Sequence, residues 1–136
     1  MVLGPAEKRA QEYLRSRCKI DAEIETIRKI MAADYKKQLR RSKIIQYDLT
    51  QLPEYKAVMQ AEENHIKKLQ EERNRALFLI GQIRNERYRT VLEHIYIDGM
   101  TAEAAADMMH YSTTHFFRLK AEALHAAAAI LEQMEA

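Results

Sequence analysis

Apolar residues recur at helical spacing along most of the chain. In the first third they follow steps of seven, four, three and four residues, at Tyr13, Ile20, Ile24, Ile27 and Met31. Arg17 occupies the missing position, and Tyr35 or Leu39 continues the series. A narrow stripe of this kind is typical of a coiled-coil contact, so it predicts a first long helix of roughly 40 residues that packs lengthwise on another helix.

A second long helix is predicted after a break near residue 50. The helical spacing fails over residues 44–50, and Leu52-Pro53 follows, where proline suits a first helical turn. The apolar positions of this second helix are Tyr55, Met59, Ile66, Leu69, Ala76, Ile80 and Ile83, with Glu62 and Arg73 as polar members. Helices of roughly 40 and 33 residues joined by a short loop predict an antiparallel hairpin. The isolated Gly81 is expected to mark a close helix contact or a bend.

Several apolar residues lie off these two stripes and need another partner: Tyr47, Val58, Leu77, Phe78 and Leu79. We therefore expect a homodimer built through the hairpins, such as a four-helix arrangement. The alternative is a monomer whose C-terminal helices fold back over the hairpin.

The last third predicts three short helices with two breaks. Asp98-Gly99 supplies a stop, Thr101 is a suitable N-cap for the next helix, and Ser112 caps the one after the Tyr111 break. A helix of about eight residues, a turn of about three and a second helix have the spacing of a helix-turn-helix, whose second helix enters the DNA major groove. The predicted fold is all-α, with a coiled-coil-like hairpin over residues 1–85 and a small helix-turn-helix bundle over 86–136.

The segment YIDGMTAEAAADMMHYSTTHFFRLKAEAL resembles the promoter-binding fourth region of bacterial sigma factors. The whole chain resembles a family of small phage-encoded proteins of unknown function, related to phage late-gene regulators of the autolysin-regulatory-protein type. The resemblance is good from Glu86 to Leu131. In the part of the chain before Glu86, only the general sequence pattern is similar. It implies a transcription regulator that binds a promoter-like site in double-stranded DNA, with RNA polymerase as a further partner.

The same resemblance implies which side chains meet DNA. Ser112, at the cap, is the first of the DNA-binding residues. After it, Thr113, Thr114, Phe117 and Arg118 would face the bases, and His115 and Lys120 would lie toward phosphates. Sigma-like helices usually carry Arg or Glu at the places of both threonines and of the phenylalanine, so the chain departs from the pattern there. Phenylalanine forms no hydrogen bonds with bases but can contact a thymine methyl group.

Charge opposes DNA binding by the last third alone. Over residues 91–136 two strong cations face seven acidic residues, a net charge of −5, whereas residues 1–50 carry +5 and residues 51–90 carry +2. DNA-binding surfaces are expected to be positive. Phosphate contacts would then come from a basic run in the first helix: Lys36, Lys37, Arg40, Arg41 and Lys43. The alternatives are that this run is only a solvated helix face, or that a second copy or RNA polymerase supplies the affinity.

Enzyme, metal and membrane classes are not expected. No glycine-rich phosphate loop or HExxH motif is present, and Asp107 and His110 would supply only two metal ligands. We therefore predict no cofactor. The lone Cys18 fits a reduced, cytoplasmic setting, and no run approaches the ~18 apolar residues of a membrane span. The alternative function is a coiled-coil interaction protein or a phage assembly or packaging component without sequence-specific DNA binding.

Overall fold

The computed structural model describes residues 3–18 and 20–136, apart from the Cys18 side chain, so the predicted reduced state of that thiol lies outside the described residues. Its elements are α1 (Pro5–Cys18), α2 (Ile20–Ile45), a 3₁₀ turn (Leu49–Gln51), α3 (Pro53–Gly81), α4 (Glu86–Leu92), a π-helical turn (Glu93–Ile97), α5 (Ala102–Met108) and α6 (Thr113–Glu135). No strand occurs among the described residues, and the all-α prediction is confirmed. No described helix is long and apolar enough to cross a membrane.

The chain divides into two compact units. The large unit comprises Met1–Cys18 and Arg73–Ala136, and the hairpin unit comprises Lys19–Glu72. The division falls inside α3, whereas the predicted boundary between residues 85 and 86 coincides with the start of α4, inside the large unit. The sequence pattern assigned residues 1–18 to the hairpin. In the structure, the buried residues of α1 pack with the C-terminal helices.

The hairpin unit pairs α2 with the first part of α3. The predicted α2 positions Ile24, Ile27 and Met31 are half-buried, and Ile66 of α3 is buried. Burial raises the pKa of Tyr55, with smaller contributions from Asp34 and Tyr35, which places the start of α3 beside the middle of α2. The antiparallel direction follows because the connecting turn is short.

Local hydrogen bonds close that turn. Gln46 adopts a left-handed conformation at φ 56°, and the Tyr47 backbone N–H donates to the Ser42 carbonyl over 3.2 Å. The Asp48 carboxylate then accepts from the Thr50 backbone N–H over 3.0 Å and begins the 3₁₀ turn. Together these bonds satisfy the end of α2 before α3 starts.

The large unit holds the main core. One apolar cluster joins α1, the end of α3, α4 with its π-helical turn, and α6: Ala10, Leu14, Ala76, Leu79, Ile80, Ile83, Leu92, Tyr96, Ala123, Leu124, Ala127, Ala128 and Leu131. A second cluster joins α4, α5 and the start of α6: Val91, Ala105, Ala106, Phe116 and Leu119. The small bundle around α5 therefore shares α4 and α6 with the main core.

Two open predictions about α3 are decided within the large unit. Leu79, for which the sequence required a further partner, is fully buried in the main core because α1 and α6 cover that side of α3. Of the two alternatives for Gly81, the close contact is wrong, since a Cβ atom there would meet nothing within 4 Å. Gly81 is the last residue of α3, so it marks the bend from this helix toward α4. The other residues for which a further partner is predicted are exposed in the single chain: Tyr47, Val58, Leu77 and Phe78.

Candidate nucleic-acid interface

The predicted caps of α5 and α6 are both confirmed. The Thr101 hydroxyl accepts from the Ala104 backbone N–H over 3.2 Å, and the Ser112 hydroxyl accepts from the His115 backbone N–H over 3.1 Å. Each bond satisfies one of the free backbone donors of a helix start. These local bonds fix where α5 and α6 begin.

The turn between α5 and α6 is a Schellman-type helix end. The Tyr111 backbone N–H donates to the Ala106 carbonyl over 2.9 Å, and the His110 N–H donates to the Asp107 carbonyl over 3.1 Å. His110 itself adopts the left-handed backbone conformation, at φ 59°. A histidine thus holds a conformation that glycine usually occupies.

Apolar packing fixes the position of α6 against α5. Phe116 is fully buried in one cluster with Val91 and with Ala105 and Ala106 of α5. The small alanine side chains allow a close approach of the two helices at this contact. Phe116 is therefore the core residue of the Phe116-Phe117 pair, while Phe117 is 48% exposed.

Four predicted base-contacting residues lie on one open surface. Thr113, Thr114, Phe117 and Arg118 are all exposed, and their spacing of one, three and one residues keeps them on adjoining faces of the first two turns of α6. We call these four residues the α6 tip. It offers two hydroxyl groups, one aromatic ring and one guanidinium group, a set that can meet base edges and a thymine methyl group.

His115 lies beside the α6 tip but is engaged within the protein. Its ring is half-buried and meets the Tyr111 ring edge-on, with centroids 4.7 Å apart. Its Nδ1 atom is 3.4 Å from a guanidinium nitrogen of Arg118. His115 is thus placed to orient Arg118.

Lys120 is engaged within the large unit, where it lines one small cavity with Phe117 of the α6 tip. Its ammonium group lies 5.8 Å from the centre of the Tyr96 ring, and its side chain is half-buried. Burial lowers the pKa of Lys120, and the nearby positive charge of Arg15 lowers it further. This lysine is therefore directed toward the core and α1.

Helix α1 lies along the second half of α6. His125 Nδ1 is 2.7 Å from a Glu7 carboxylate oxygen, and this hydrogen bond is the main reason that the pKa of Glu7 is lowered. Arg9 forms an ion pair with Glu135. A small cavity of about 170 Å³ separates Phe117 from Gln11 of α1. The open part of α6 is consequently its first two turns.

Sequence reasoning missed the contacts that position α6. The Tyr88 hydroxyl donates to the Glu122 carboxylate over 3.0 Å and joins α4 to α6, and this bond raises the pKa of Tyr88. One Arg89 guanidinium nitrogen donates to the Ile83 and Arg84 carbonyls and so ties the segment between α3 and α4 to α4. The partners of Tyr88 and Glu7 lie 34 and 118 residues away, so no local pattern could have revealed them.

Packing changes the charge of the candidate interface. The residues of the large unit include 11 basic and 10 acidic side chains, a net charge of +1, because α1 and the α3–α4 segment add arginines and lysines to the acidic last third. The helix-turn-helix therefore belongs to a nearly neutral unit. This weakens the strongest sequence objection to DNA binding without providing the strongly positive surface that DNA binders usually have.

The predicted phosphate-contact residues lie in the hairpin unit. Lys36, Lys37, Arg40, Arg41 and Lys43 are all exposed on the second half of α2, and no ion pair links any of them to another described side chain. Their charges are accordingly available to an outside anion. Among the described residues, no three His, Cys, Asp or Glu side chains come together to hold a metal ion.

One protein family matches the chain. A family model described as "Protein of unknown function (DUF1492)" matches residues 54–128, which include most of α3, all of α4 and α5 and most of α6. No curated protein and no solved structure matches the chain.

Proposed function

Because the chain belongs to the DUF1492 family of proteins of unknown function, its activity must be argued from its own residues, and we propose that it is a DNA-binding transcription regulator of the phage or prophage type. The α5–α6 helix-turn-helix binds the major groove of a promoter-like site. The sigma-like sequence of this segment suggests RNA polymerase as a second partner, and the chain acts as a homodimer.

The observation that carries the proposal is the exposure of the α6 tip on a rigid support. Phe116 is buried and both ends of the α5–α6 turn are hydrogen-bonded, so the first two turns of α6 have a fixed direction. Recognition helices contact bases with their N-terminal residues, which are the residues left open in this chain. Thr113 and Arg118 supply the polar groups that base contacts need.

Phosphate binding has to come from outside the α6 tip. Arg118 is the single strong cation of that tip, and the large unit is nearly neutral. We assign the phosphate contacts to the basic run of α2, whose five side chains are exposed. A homodimer doubles both sets of contacts and would bind two half-sites.

The proposal is tested by the site preference of Arg118→Ala. A bidentate contact between arginine and guanine contributes about 1–3 kcal/mol of discrimination, so the variant should lose roughly 5- to 150-fold of its preference for a selected site over random DNA. Arg28→Ala removes an exposed arginine from α2 and is the matched control, which should leave the preference unchanged. Gel shifts at several salt concentrations measure both variants after circular dichroism has confirmed their folding.

A second function is favoured by the exposed apolar side chains around the turn. Met108 and Phe117 are 59% and 48% exposed on a segment that is acidic overall. This combination suits an interaction or assembly protein whose last third binds another protein. If the parent protein shows no site preference at low salt and is not retained on heparin, this alternative replaces the DNA-binding proposal.

A further inference from the structure

The hairpin unit buries too little of itself to be complete. Among the described residues 20–72, the buried side chains are Ile20, Thr50 and Ile66 alone. The same unit exposes seven large apolar side chains: Ile30, Tyr35, Leu39, Ile44, Ile45, Tyr47 and Val58. Two helices in one layer cannot cover both of their sides, so a further layer is needed.

The exposed residues of α2 include a second stripe at heptad spacing. It follows alternating steps of three and four residues along Glu23, Thr26, Ile30, Ala33, Lys37, Arg40 and Ile44, all of them exposed. We call this the outer stripe. It is displaced by one residue, about 100° around the helix, from the half-buried stripe of Ile24, Ile27 and Met31. Ile30 and Ile44, at 60% and 81% exposure, are its large apolar members.

Charge along α2 is divided between its two halves. Residues 20–34 carry four acidic and two basic side chains, a net charge of −2, whereas residues 35–45 carry five basic side chains and no acidic one. A second α2 placed parallel would bring two strongly positive halves together. An antiparallel second copy places each positive half beside a negative half, which is favourable at both ends.

From these features we infer that the outer stripe of α2 binds the outer stripe of a second copy of this chain, antiparallel about a two-fold axis between residues 31 and 32. In this register Ile30 packs against the partner's Ala33, and Glu23 faces the partner's Arg40. Each contact occurs twice because the interface is symmetric. The large isoleucine over the small alanine gives complementary packing at the centre.

The helix lengths suit this arrangement. Helix α2 has 26 residues, so it is about 39 Å long and about 10 Å across. Together with the first part of α3, a hairpin face of this length offers on the order of 800 Å², the share of one partner in a standard interface. The proposed register overlaps residues 20–43 of both copies, which is nearly all of α2. Lys37 and Arg40 belong to the outer stripe and lie in the proposed interface, so the dimer leaves the phosphate contacts of the basic run to Lys36, Arg41 and Lys43.

The inference specifies the homodimer of the proposed function, and its test is independent of DNA. Sedimentation of the full chain should give twice the 15.9 kDa chain mass. Ile30→Glu should give a monomer of unchanged helix content, because Ile30 is exposed within one chain. Phe78→Glu, at a residue of similar exposure in the large unit, should leave the dimer intact. A monomeric parent, or an Ile30→Glu dimer, would overturn the inference.

Charge reversal tests the antiparallel register. Glu23→Arg and Arg40→Glu should each weaken the dimer about tenfold, because each change turns two attractive pairs into repulsive ones. The double variant E23R/R40E should recover the parent affinity. Additive weakening in the double variant would contradict the pairing of these two positions.

Disulfide trapping gives a measurement that does not depend on stability. On a Cys18→Ser background, an equimolar mixture of Ile30→Cys and Ala33→Cys chains should form the mixed disulfide under mild oxidation. Replacing the Ala33→Cys chain by Ala22→Cys, an exposed α2 position outside the outer stripe, is the control. Equal yields in both mixtures would overturn the register. A dimer that binds no DNA would contradict the proposed function alone.

Discussion

The backbone of His110 sets the turn that separates α5 from α6. Its left-handed conformation allows Tyr111 to close the end of α5, yet a side chain in that region costs roughly 1–2 kcal/mol. The sequence predicted the Thr101 and Ser112 caps because a cap is a local contact. It did not predict the left-handed residue, since histidine carries no strong signal for that conformation.

His110→Gly should stabilise the protein by about 0.5–1 kcal/mol. The substitution removes the backbone strain of the folded state, and this gain is larger than the conformational-entropy cost of ordering a glycine on folding. Met108→Gly, two residues earlier within α5, should instead cost about 1 kcal/mol of helix propensity. Denaturant unfolding measures both changes. A destabilised His110→Gly protein would mean that the imidazole ring matters more than the backbone at this turn.

Gly99 occupies the other left-handed position of this region, at φ 70°. A Cβ atom there would meet nothing within 4 Å, so the cost of Gly99→Ala is conformational and not steric. We expect a loss of about 1 kcal/mol in unfolding free energy. Gly81→Ala has the same open surroundings without a positive φ, and its melting temperature should match or exceed that of the parent.

Among the elements, α1 differs most from its prediction. The sequence joined it to α2 because Tyr13 and Ile20 share one heptad series, but the side chains that α1 buries are Ala10 and Leu14. These two residues form their own stripe with a spacing of four residues. The pattern could not show that this stripe packs with α6, because the choice between two stripes on one helix depends on partners more than 100 residues away.

Leu14→Ala should destabilise the large unit by about 2–5 kcal/mol, since Leu14 is 1% exposed in the main core. Leu39→Ala is the matched control in α2. It should cost far less because Leu39 is 36% exposed. The readout is thermal unfolding of both variants. Equal losses would contradict the assignment of α1 to the core of the large unit.

At the scale of the whole molecule, the division of charge was the feature that the sequence described least well. Counting along the chain isolated an acidic last third, whereas packing gives two units that each carry 11 basic and 10 acidic side chains. The inward-facing positions of α3 agree with the helical pattern in the sequence, because one continuous helix imposes one periodicity. The net charge of each unit could not be predicted in this way, because it depends on which distant helices pack into the same unit.

If the basic run of α2 contacts phosphates, replacing Lys36, Arg41 and Lys43 by Gln should weaken binding to all DNA sequences alike. The slope of log affinity against log salt should fall by about 0.9 for each lost contact. The control replaces three exposed lysines of α3 in the same unit: Lys56, Lys67 and Lys68. Equal slopes in the two triple variants would leave the basic run as a solvated helix face.

The packing of α1 on α6 also determines when the large unit can form during synthesis. The contact between Glu7 and His125 spans 118 residues, so α1 leaves the ribosome long before its partner exists. At about 5–20 residues per second, the delay is on the order of 5–25 s. The hairpin unit can pair within that interval because its helices are neighbours in sequence. The α5–α6 segment reaches its final support only after α6 has emerged, so ribosome-bound chains should acquire this part of the fold late.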